Sequence, residues 1–168
     1  MAGVTGEVSI SINATQVGTA DLGNPSVKVA IAELLQFTAG NAALGTADVM
    51  FKDTRTLAAS GTENLDLTGV LTDAFGATVA NAEVIAIYVK AADANTNSVV
   101  IGNVANGFVG PLGATGTYTV LPGDFFLATS RNGWAVTASS ADLLKIANSA
   151  GGTSVTYDII VIGRSVVG

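Results

Sequence analysis

The chain has 168 residues, a formal net charge of −6, 12% charged side chains and neither His nor Cys. That length suits one domain, which can bury about 70% of its unfolded surface without help from a disulfide or a metal. Its 7 cations are too few and too scattered to attract a phosphate backbone, no apolar run reaches the ~18 residues of a spanning helix, and no basic stretch leads into an apolar one as in a signal peptide.

Residues 1–6 are small and polar and read as a flexible N-terminal arm, leaving 7–168 for a single β-sandwich domain. Glu7–Ala14 alternates cleanly, with Val8, Ile10, Ile12 and Ala14 on one face and Glu7, Ser9, Ser11 and Asn13 on the other. Gly18–Pro25 is a loop. Ser26–Phe37 fits two periods: Val27, Val29 and Ile31 alternate as in a strand, whereas Val27, Ala30, Ile31, Leu34 and Leu35 form a helical stripe behind an Asn24–Pro25 start. Its β-branched first half favours the strand. Ala47–Lys52 is a further strand, continued by Asp53–Ala59 past a bulge.

Glu63–Thr68 points Leu65 and Leu67 inward, and Gly69–Gly76 reads as one helical turn closed by Gly76. Glu83–Lys90 is apolar on both faces, as a central strand covered on both sides would be. The DANTNS turn at Asp93–Ser98 and the short strand Val99–Gly102 follow. Asn103–Gly116, rich in glycine and interrupted by Pro111, is a long irregular loop. Thr117–Leu121 ends at the Pro122–Gly123 turn, Gly123–Thr129 resumes, and Arg131–Asn132–Gly133 is a hairpin signal before Trp134–Ala138. Asp142–Ala147 is a short strand or a helical turn, and Val155–Gly163 closes the chain with a two-sided apolar strand. About ten short strands, with at most one or two helical turns, predict an all-β, jelly-roll-like sandwich.

Chemistry is sparse. Without His or Cys the common nucleophile activators and metal ligands are missing. Lys145 near Ser139 and Ser140 is the candidate base for serine catalysis, and reads as a solvated lysine. Asp66 with Asp73, or Asp124 with Asp142, are the carboxylate pairs a glycosidase would need, but spacing alone does not bring them together. Asp93, Asn95 and Asn97 imitate the start of a calcium loop, but Ser98 stands where the glycine belongs and Val104 where the bidentate Glu belongs. The reading is therefore no enzyme, no cofactor and no metal. Trp134, beside the expected hairpin tip, is the residue a carbohydrate-binding module would use.

The segments DTRTLAASGTENLDLTGVLTDAFGATVANAEVIAIYVKA (Asp53–Ala91), ANTNSVVIGN (Ala94–Asn103), LPGDFFL (Leu121–Leu127) and SVTYDIIVIG (Ser154–Gly163) resemble a family of small structural proteins of tailed bacteriophages. The resemblance implies a virion protein, foremost a capsid decoration or cement subunit on the outer shell. Such a protein would pair with copies of itself as a trimer and with the major capsid protein, and would touch neither nucleic acid nor membrane. A tail, neck or fibre component is the alternative within the virion, and a carbohydrate-binding β-sandwich module the alternative outside it. The expected contact residues are Val4 in the N-terminal segment and Val104, Phe108, Val109 and Leu112 in the glycine-rich loop, too apolar for water yet too irregular for a core. A loop folding those residues inward is the competing expectation.

Overall fold

The computed structural model describes residues 3–19 and 21–167, and among these there is no helix. Eleven strands form three sheets. In chain order they are β1 (Gly6–Val17), β2 (Ser26–Ala39), β3 (Thr46–Ala47), β4 (Val49–Leu57), β5 (Thr62–Asp66), β6 (Glu83–Ala91), β7 (Val99–Gly102), β8 (Thr117–Val120), β9 (Phe125–Ala135), β10 (Leu143–Asn148) and β11 (Val155–Arg164). The front sheet has the order β4-β11-β6-β9 and the back sheet β5-β10-β7-β8. Counted from β4, the eight strands β4–β11 follow the orders 1-8-3-6 and 2-7-4-5, the wrapping of a jelly roll. The all-β sandwich expected from the sequence is what the chain forms.

Alternation decides which side chains enter the sandwich. Phe51 and Leu57 of β4, Ile87 and Val89 of β6, and Tyr157, Ile159 and Val161 of β11 meet Leu65, Val99, Ile101, Leu144 and Ile146 of the back sheet in one buried cluster. Every β6 residue except Tyr88 and Lys90 is buried, in keeping with a central strand. Lateral order is reinforced by Asn95, whose side chain accepts from the Thr156 N–H at 2.9 Å and donates to the Thr156 carbonyl at 2.8 Å. The DANTNS segment thus continues the β6–β11 ladder with a side chain in place of a backbone.

Several local expectations change. Ser26–Ala39 is strand throughout, because β1 offers it an uninterrupted antiparallel partner from Gly6↔Phe37 to Val17↔Ser26. The break expected near Asp53 lies at Asp48 instead: β3 pairs with β2, whereas β4 pairs with β11 from Val49 to Leu57 without a slip. Gly69–Gly76 is not helical. Asp73 Oδ1 accepts the N–H groups of Phe75 and Ala77, both at 2.8 Å, and so closes a tight turn with Gly76 at φ +82°. Arg131–Gly133 is no hairpin either: β9 runs on to Ala135, and the residues between Thr129 and Trp134 bulge out of the β6 ladder.

Candidate interaction surface

Strands β1 and β2 leave the sandwich as a two-stranded ribbon. Their register fixes two unlike faces. Val8, Ile10, Ile12 and Ala14 share one with Leu35, Glu33, Ile31 and Val29, while Ser9, Ser11, Asn13 and Thr15 share the other with Leu34, Ala32, Ala30 and Lys28. The first face is apolar apart from Glu33. It stands in water nonetheless: Ile12 is 53% exposed, Ile31 48%, Val29 45% and Ile10 42%. A lone hairpin is at best marginally stable, so this face lacks the cover that such strands ordinarily have.

The foot of the ribbon is firm. Phe37, Ala47 and Ile85 form a small second core with Val4, Val8 and Ile162, seating the ribbon on the outer side of the front sheet. Arg164, fully buried, ties the foot to the sandwich. Its Nε donates to Glu83 Oε2 at 2.9 Å and its Nη2 pairs with the same carboxylate. Nη1 reaches the Ala43 carbonyl in the β2–β3 connection at 3.1 Å, and Nη2 the Asn132 carbonyl in the β9 bulge at 2.7 Å. Antiparallel register places Arg164 opposite Glu83. Gly133, at φ +84°, leaves no room for a Cβ between Arg164 and Glu83, so the bulge and the clamp require each other.

Beyond the foot, the ribbon and the edge strand β9 border a groove. Ser9, Ile10 and Ser11 line one wall, and Tyr118, Phe125, Phe126 and Leu127 the other. Nearer the foot Val8, Ile10, Glu33 and Leu35 look across to Thr129 and Arg131. Tyr88 and Phe125 stack on the outer side of the front sheet with ring centroids 5.8 Å apart. The β9 edge away from β6 and the β1 edge away from β2 are both unpaired in the sheets.

The residues singled out from sequence are dispersed. Met1 and Ala2 of the expected arm lie outside the described residues. Val4 N–H donates to the Ala47 carbonyl at 3.0 Å, and its side chain packs in the foot. In the glycine-rich loop Phe108 is buried against the main core and Leu112 packs beside it, while Val104 is half-buried and Val109 exposed. The cavity beneath that loop holds about 20 Å³, room for a single water. Trp134 packs on the main core from within β9.

Nor do the chemical candidates converge. Asp66 accepts from the Thr68 N–H and Asp142 from the Ser139 N–H, and Lys145 reaches the Asn103 carbonyl at 3.4 Å. Among the described residues no group of three or more acids is placed to hold a metal ion. One polar cluster stands out. Glu63 accepts from Arg55 Nε and from the Tyr157 hydroxyl, both at 2.7 Å, and Arg55 also pairs with Asp53 at 2.8 Å. Burial and then donation to Glu63 push the Tyr157 phenol well above its ordinary pKa, and the Glu63 bond raises Arg55 further against its own desolvation. This arrangement braces β4, β5 and β11.

No sequence signal marks the ribbon face as bare, although two alternating segments around Gly18–Pro25 form a hairpin pattern. No protein-family model, no curated protein and no solved structure matches this chain.

Proposed function

We propose that this chain is a structural protein of a bacteriophage virion, a capsid decoration subunit that joins copies of itself as a homotrimer on the outer shell and grips the major capsid protein. The observation that carries the reading is the apolar ribbon face left in water above a jelly-roll body. A protein so built gains more from packing against neighbours than from any chemistry of its own. The low charge and the resemblance of the segments from Asp53 onward point the same way. Many weak contacts repeated at symmetry axes would add up to firm attachment.

The test is to add the purified chain to expanded, undecorated capsids of the phage that encodes it and to image the particles. Density at symmetry axes and a shell that survives greater heat are expected. Antibody label on whole virions that is confined to the tail would transfer the protein to the tail, neck or fibre reading, and bare capsids together with unlabelled virions would overturn both.

A further inference from the structure

We propose that the apolar ribbon face of one copy docks on the outer front sheet of a second copy, in the groove walled by Phe125, Leu127 and Tyr118. The inference deepens the self-association part of the proposed function and rests on it.

Area is the first argument. A compact monomer of this 16.7 kDa mass should expose about 7,600 Å². The chain exposes 9102 Å², an excess of about 1,500 Å². The ribbon pairs 12 residues of β1, which gives a face about 40 Å long and about 10 Å wide, or about 400 Å². If each copy gives its ribbon face and receives another on its own sheet, it loses about 800 Å², which in a two-fold pair is the per-partner share of a standard interface and in a three-fold ring is divided between two junctions.

Chemistry is the second argument. The receiving wall is apolar and aromatic, as centres of interfaces are. Charge is compatible: Glu33 of the ribbon face and Arg131 of β9 line the same groove, neither is in an ion pair among the described residues, and a neighbour's ribbon would bring its Glu33 to the same cation. The unpaired edges of β1 and β9 would be shielded by the same contact.

Because the chain has no cysteine, introduced thiols can be read without background. Ile12→Cys chains are mixed with Leu127→Cys chains and oxidised, and sedimentation is followed across a concentration series. A disulfide joining the two kinds of chain is expected, together with a concentration-dependent oligomer. Ile12→Lys or Ile31→Lys should weaken association about tenfold or more, while Thr15→Lys, on the opposite face and away from the groove, leaves it unchanged. All four positions are exposed or half-buried, and circular dichroism verifies that the body stays folded. A monomer at every concentration with no cross-link overturns the inference. So does a disulfide formed only within single chains of the Ile12→Cys/Leu127→Cys double variant. Since these measurements use no capsid, oligomers that fail to decorate a shell would sink the virion reading and leave this one standing.

Discussion

β10 and β1 obey the same alternation, yet their apolar faces meet opposite fates. Leu144 and Ile146 vanish into the sandwich, whereas Ile10 and Ile12 stay in water. The periodicity of a strand selects the face that wants cover; only the arrangement of the whole chain decides whether cover exists. In the sandwich the second sheet supplies it. On the ribbon none of the described residues does beyond the foot, where Phe37 and Val8 reach the second core.

That contrast can be attacked by substitution. The largest effect is expected from Arg164→Met, which removes the buried cation paired with the Glu83 carboxylate and should cost about 3–5 kcal/mol in denaturant unfolding. Accelerated hydrogen exchange at the ribbon foot should accompany it, and undisturbed exchange there would mean that the foot does not hang on this residue. Next comes Ile146→Ala, at about 2–5 kcal/mol for a cavity in a packed core. The same truncation at Ile31, measured on monomer, should cost under about 0.5 kcal/mol. Equal losses at the two positions would break the comparison, because Ile31 would then be covered inside its own chain.

A smaller effect sharpens the account of the sandwich. Tyr157→Phe removes one hydrogen bond and should cost about 1 kcal/mol near neutral pH. The phenol's pKa is raised in the fold, so its contribution is fully present below the ordinary value of about 10 and fades as pH climbs past it. The stability difference between the two proteins should therefore shrink above about pH 10. A difference that persists unchanged into alkali would mean that the hydroxyl is not held by burial and Glu63.

Much of the sandwich was legible because its strands carry their burial in their pattern. Val99–Gly102 forms at the bounds read from sequence, Leu65 and Leu67 point inward, and the two-sided strand Glu83–Lys90 lies in the middle of its sheet. Asn132–Gly133 misled for a physical reason. The pair can turn a hairpin, but Arg164 draws the Asn132 carbonyl inward and β9 rejoins β6 at Val84↔Trp134, so its positive φ serves a bulge. Arg164 itself left no trace in the sequence. A cation at the end of an apolar strand reads as solvated until the register sets it against Glu83. The bare ribbon face escaped for the opposite reason: its pattern was read, but a pattern does not say that no layer lies above it.

One guanidinium therefore holds both walls of the groove, the β2–β3 connection beneath one and the β9 bulge beside the other. The walls cannot drift apart independently, and the ribbon behaves as a lever with a fixed fulcrum. A visitor entering between them finds the shape already set and loses little conformational freedom in ordering it. Weak individual contacts suffice under that condition, and loosening the fulcrum would slow capture without altering a single residue that the visitor touches.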